Sequence, residues 1–282
     1  MTIMIRWLLL LLGLPLSLMA AEDPTVPQRV MSINLCTDTL LMALADREQV
    51  ASVTHIATSS PLSTIEQQAA GIPTNRANIE EVIALKPDLL LAQRWAHAAT
   101  IKRAEELGYR TLVLEPARNI NEAMQENLRL GKALGQTTRA IALNDAIKSQ
   151  ILSTPTPLPI PPTIVVYGPN GYTSGKGTLL DDLIRKSGMD NLATYIIDGE
   201  GGMIPIEALV MGQPDVFAYG HNPLARGESL AERNLAHPAV EQVADQAVKL
   251  TLPGKLWACG GPEIMQAFSR LTDARMRFER GI

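Results

Sequence analysis

The chain is poor in aromatic rings, in cysteine and in surplus positive charge. Rings make up 4% of its 282 residues, which leaves few to stack on a ligand. Net charge is −4, and without a basic excess no nucleic-acid partner is expected. The N-terminal apolar run, Trp7 to Leu18, is about 12 residues, short of the roughly 20 that a membrane-spanning helix needs. No cysteine follows that run directly, so a lipid anchor is not expected either.

What remains is ordinary globular material. Hydrophobic residues are 46% and charged residues 19%, and the length suffices for two cores of common domain size. Arg6, the apolar run and the exit Leu18-Met19-Ala20-Ala21 together predict an export signal over residues 1–21. The mature chain is then expected to be soluble outside the cytoplasm. In such an oxidising compartment the two cysteines, Cys36 and Cys259, are most simply a disulfide, although spacing does not say whether they meet.

One segment occurs twice. Ile79 to Ala92 returns as Ile206 to Tyr219 at a constant offset of 127, with Ile79/Ile206, Glu80/Glu207, Pro87/Pro214 and Asp88/Asp215 identical. Each copy reads as a short helix stopped by proline and followed by an apolar strand. Two lobes on one plan are expected, with a cleft between them where a small molecule binds.

Elsewhere strand and helix alternate, which favours parallel sheets with helices on their faces. Strands are expected over Arg29 to Ile33, Val50 to Val53, Asp88 to Ala92, Thr111 to Leu114, Thr163 to Tyr167 and Val248 to Leu252. Thr37 or Asp38 is expected to cap the first helix, and Ala57 to Asn78 to be irregular. From Ile120 to Ser153 the pattern is helical, notched by Gly131 and Gly135, until Pro155, Pro157, Pro159, Pro161 and Pro162 end it. The expected organisation is an N-terminal α/β lobe over 22–136, a linking helix over 137–154 and a C-terminal α/β lobe over 155–282. A helical link is stiffer than a Gly/Ser one, so the lobes should move little.

Few residues point to chemistry. His55, His97 and His221 each lie just beyond a strand, the ligand-facing edge of an α/β sheet, where three imidazoles could hold a transition metal. Trp95 and Trp257 also follow strands, one in each lobe, and with Tyr172 offer flat rings to a planar or macrocyclic ligand. Gly175-Lys176-Gly177-Thr178 approaches a phosphate loop but has the wrong glycine spacing, and reads as a turn at the cleft edge. Asp181-Asp182 reads as a solvated first helical turn. No serine or cysteine has a paired base in sequence, so no catalytic residue and no enzymatic activity are expected. Glu80 and Glu207, at equivalent places in two lobes, would present matched negative charges to one symmetric partner.

These residues together resemble the periplasmic substrate-binding proteins of ABC importers for iron–siderophores, haem or cobalamin. The likeness spans about Arg29 to Phe278. It rests on Ser32 to Leu44, on the run LKPDLLLA ending at Ala92, on LGKALG at Leu130 to Gly135, and on Tyr172 to Ala193 and Ile206 to Ala218. The TSGK run and the Ala84 to Ala92 run are similar to those of cobalamin-binding members.

The resemblance implies two α/β lobes with mainly parallel central sheets, joined by one long helix in the manner of class III periplasmic binding proteins. It implies a monomer in the periplasm that delivers cargo to a permease dimer and its ATPase, without a resident cofactor or metal. The implied cargo is a metal chelate, cobalamin or a ferric siderophore, with direct transition-metal or haem binding as the alternative; a tyrosine-rich haem cleft is absent. The expected ligand-binding set is Cys36, Thr37, His55, Arg94, Trp95, His97, Tyr172, His221 and Trp257. Glu80 and Glu207 are the expected permease contacts. Cys36 and Cys259 fall in the first and last cleft loops by this likeness. A disulfide there would tie the lobes together, whereas free thiols would be soft metal ligands; the disulfide is the expectation carried forward.

Overall fold

The computed structural model describes residues 26–59, 61–153, 156, 158–220 and 234–282. The expected leader at 1–21 and His221 lie outside the described residues.

Five short parallel strands build the first sheet: β1 (Val30–Ser32), β2 (Val50–Thr54), β3 (Thr74–Asn75), β4 (Leu89–Gln93) and β5 (Thr111–Leu114), in the order β3-β2-β1-β4-β5. Around them lie α1 (Leu35–Leu44), α2 (Ile79–Leu85) and α3 (Ala98–Glu106). The central strands are apolar without alternation, as burial on both faces requires; Leu89, Leu90, Leu91 and Ala92 are all buried.

The second sheet repeats the plan. Strands β6 (Thr163–Tyr167), β8 (Asp190–Asn191), β10 (Val216–Tyr219) and β11 (Val248–Thr251) run parallel in the order β11-β10-β6-β8. A separate antiparallel pair joins β7 (Tyr172–Ser174) to β9 (Gly201–Met203). Helices α6 (Leu179–Lys186), α7 (Ile206–Gly212), α8 (Pro238–Asp245) and α9 (Ile264–Arg280) complete this half.

The sequence repeat is therefore a structural one. Helices α2 and α7 are each seven residues long, and each ends in a left-handed residue, Lys86 or Gln213. Burial matches position by position over nine residues, 79–87 against 206–214. The repeated aspartates do equivalent work: Asp88 accepts from the amides of Gln28 and Arg29 beside β1, and Asp215 from the amide of Thr163 opening β6. Each pins the start of a central strand to its neighbour.

Between the halves lie α4 (Ile120–Ala133) and α5 (Thr137–Leu152), broken apart at Gly135 with φ +73°. They run antiparallel, because Asn127 Nδ2 donates to Asn144 Oδ1 at 3.0 Å while Gly131 faces Ala140. A Cβ on Gly131 would sit 2.4 Å from that of Ala140, so glycine permits this close crossing. Both helices feed both cores. Leu130, Leu134 and Ala140 join the first, Ile120 and Ile147 the second, and Leu143 packs against each. Burying such side chains is worth roughly 1.5–3 kcal/mol apiece, which makes the junction part of the core and not a tether.

Three local expectations are corrected. The cap of α1 is Asn34, whose side chain accepts from the amide of Cys36 at 2.9 Å. Asp38 instead points inward and receives the Thr54 hydroxyl at 2.5 Å. Asp181 is not solvated but fully buried, its carboxylate held by Asn191 and Arg185. The stretch Ala57 to Asn78 is not all irregular, since Thr74–Asn75 pairs with Val53 and Thr54 as β3.

Candidate functional site

Parallel strands deliver their C-terminal ends to one edge of each sheet, and in this protein the two edges meet. Cys36, just past β1, is bonded to Cys259, between β11 and α9, with their Cα atoms 5.1 Å apart. Beside the bridge, Gly260 lies against Ala117 and Ala123; a Cβ there would come within 2.7 Å of the Ala123 methyl. Arg118 pairs with Glu200, and Lys255 Nζ donates to the Ser63 carbonyl at 3.4 Å. These contacts form the floor of a cleft between the halves. That floor is closely packed: a cavity of ≈ 10 Å³ remains, lined by Cys36, Thr37, Gln93, Glu115 and Ala117 of the first half and by Gly260 of the second.

One wall is the loop after β4. Trp95 and His97 both adopt left-handed backbone, φ +69° and +54°, unusual for side chains of this bulk. Such strain clusters at ligand-binding loops. It holds the Trp95 ring out, 77% exposed. Arg94 lies beside Glu115 because Gln93 pairs with Leu114 in the β4–β5 register, making the two charged residues the next rung. Its Nε donates to both carboxylate oxygens at 2.6 Å, and this bond holds the Glu115 carboxyl below its usual range. His55 opens a 3-10 turn after β2, exposed, with Nδ1 3.3 Å from the Asn75 carbonyl. Because a carbonyl only accepts, Nδ1–H is the donor in that contact.

The opposite wall carries Tyr172, 53% exposed, paired across β7–β9 with exposed Met203. Trp257 is half-buried: its ring packs on the second core and its N–H donates to the Leu252 carbonyl at 3.1 Å. Thr37 is likewise turned inward, its hydroxyl shared between Ser32 Oγ and the Asn34 carbonyl, both at 2.8 Å. His221 lies outside the described residues.

The cysteines are oxidised, which removes the expectation's alternative of soft thiolate ligands. Among the described residues no group of three or more His, Cys, Asp or Glu is placed to hold a metal ion. The glycine-rich turn before α6 has its own anion: Gly177 N–H donates to the Asp181 carboxylate at 3.2 Å, where a phosphate loop would leave such amides for its ligand.

Two buried acids escaped sequence reading. Glu263, opening α9, accepts from the Gly261 amide at 2.9 Å through Oε1, while Oε2 has no hydrogen-bond partner among the described residues. Burial pushes its carboxyl up to about 8, and that of Asp38 to about 7. Glu115 was missed too, although its place directly after β5, as Arg94 follows β4, was the available signal.

Glu80 and Glu207 are both exposed, each the second residue of its helix. Both helices start at the cleft edge. Thr100, in the first turn of α3, donates to the Ala77 carbonyl at 2.8 Å, and Ile204 N–H donates to the Gly171 carbonyl at 2.9 Å.

Known proteins share this fold. The family described as periplasmic binding protein matches residues 30–249. A cobalamin-binding protein of Halobacterium salinarum is 24% identical over 199 residues, covering 69% of this chain and 54% of that protein. The chain thus spans about half the length of the first curated relatives it matches. Among solved structures, a periplasmic heme-binding protein from a Roseiflexus species superposes with TM-score 0.71 at 20% identity, over 90% of this chain and 98% of that one. The periplasmic vitamin B12 binding protein of Vibrio cholerae gives 0.63 at 15%, with the same coverages.

Proposed function

The chain belongs to the periplasmic binding protein family, and on that premise we propose that it captures a metal chelate for an ABC importer. The cargo is cobalamin or a ferric siderophore, and the mature protein works in the periplasm and hands it to a membrane permease driven by an ATPase. The observation that carries the reading is the meeting of two similarly wound sheet edges, with exposed Trp95 on one wall and exposed Tyr172 on the other. Exposed rings with a few polar groups beside them suit a flat ligand that brings its own metal and its own coordination shell. The curated relative named for cobalamin supports the choice of class.

The roles follow from placement. Trp95 and Tyr172 would lie against flat faces of the cargo, His55 and His97 would reach its periphery, and the Arg94–Glu115 pair would offer hydrogen bonds at the floor. Glu80 and Glu207 would meet cations of the permease. Oxidised cysteines and the lack of a metal-holding group among the described residues favour a chelate over a bare ion. Isothermal titration with cyanocobalamin and with a ferric hydroxamate is the test. Saturable one-to-one binding of either supports the reading, and binding of a bare transition-metal ion alone contradicts it.

A further inference from the structure

On α2 the exposed positions are Glu80, Ile83 and Ala84; on α7 they are Glu207, Val210 and Met211. These are positions i, i+3 and i+4 of each helix, hence one face. An exposed helical face is ordinarily polar throughout. Here both copies set one acid beside two apolar residues: Ile83 is 46% exposed, Val210 41% and Met211 85%. Scattered surface apolar residues need no cause, but the same mixed triad at matched places in two lobes does. The residues themselves differ between copies, so the repeated quantity is chemical character, not identity.

We propose that these two faces form one bipartite docking surface in which the aliphatic residues, not only the glutamates, carry affinity for the permease. This rests on the docking reading above and adds its apolar half. The matching partner has two-fold symmetry and presents, twice, a cation flanked by an apolar socket. Only a two-fold partner uses both triads alike, because a closed symmetric assembly repeats one patch about its axis. Acids at both faces select cations and disfavour the anionic surface of a lipid bilayer. Helix faces read through i, i+3 and i+4 anchors are a general recognition mode, and methionine suits a socket of imperfect fit. Two modest contacts on one rigid body reinforce each other, so losing either lobe's share costs most of the binding.

The test measures affinity of the mature protein for its permease–ATPase complex in lipid nanodiscs at two salt concentrations. The variants are Ile83→Ser/Val210→Ser/Met211→Ser and Glu80→Ala/Glu207→Ala. The apolar triple should bind about tenfold more weakly with an unchanged salt dependence, and the glutamate pair should bind weakly with a flattened one. Thermal melts should leave the triple as stable as the parent, and light scattering should give a monomer. Parental affinity of the triple, with the glutamate pair impaired, overturns this inference and leaves simple charge docking standing. Parental affinity of both overturns the docking reading itself. A lowered melting temperature of the triple, or a parental dimer that the triple abolishes, would assign the apolar residues to folding or to self-association and overturn the inference.

Discussion

Cys36 and Cys259, 223 positions apart in sequence, share a disulfide that fastens the first cleft loop of one lobe to the last cleft loop of the other. The lobes are thus joined at the cleft floor as well as through the shared helices α4 and α5. On the proposed function, lobes joined on both counts should close little on the cargo and select it by a cleft already formed.

Alkylation of the unreduced protein should label no thiol, since both cysteines among the described residues are bonded. Cys36→Ser/Cys259→Ser should be less stable by about 3–5 kcal/mol, because a bridge closing so long a loop removes much freedom from the unfolded chain. Chemical denaturation checks this; an unchanged midpoint would mean the bridge constrains nothing.

Trp95→Ala should weaken chelate binding about tenfold, the ring being exposed and aimed from a strained loop. Because the side chain packs little, stability should change by less than about 0.5 kcal/mol. Titration calorimetry alongside thermal melts separates the two. Trp257→Phe should show the reverse pattern, since its N–H holds the Leu252 carbonyl.

Glu263 carries a pH dependence. Burial raises its folded pKa from 4.5 to about 8, so the folded protein binds more protons than the unfolded chain between those values. Stability therefore falls as pH rises through that window, and is unaffected by this group below it. Glu263→Gln keeps the acceptor facing Gly261 and should flatten the decline. Melting temperatures from pH 5 to 8 measure it, and parallel slopes for parent and variant would refute the assignment.

Gly131→Ala should destabilise by about 1–3 kcal/mol, as its methyl would overlap that of Ala140 where α4 crosses α5. Gly177→Ala meets nothing within 4 Å but sits at φ +81°, so its cost should come from backbone strain. Urea midpoints of both variants test the contrast.

Much of this was legible in the residues. Buried parallel strands announce themselves as apolar runs, so Thr163–Tyr167 falls where the pattern puts it, and the partly buried edge strand Thr111–Leu114 is apolar enough to do the same. The repeat at Glu80 and Glu207 told of two lobes because local signals, a proline stop and an apolar strand, were copied intact. What was hidden depends on distant partners. Asp181 looks like any first-turn acid until Asn191 and Arg185 surround it. The β7–β9 pair is glycine-rich and short, so its pairing is set by neighbours and not by propensity. Pro238 stands at the first position of α8, where its missing N–H costs nothing.

A native mass spectrum of the protein purified from its own source bears most directly on the whole account. The expected spectrum shows one intact metal chelate per chain, lost on unfolding and recovered chemically unchanged. A chain that carries no such adduct even after incubation with cobalamin and ferric siderophores, or one that returns the chelate altered, would contradict it.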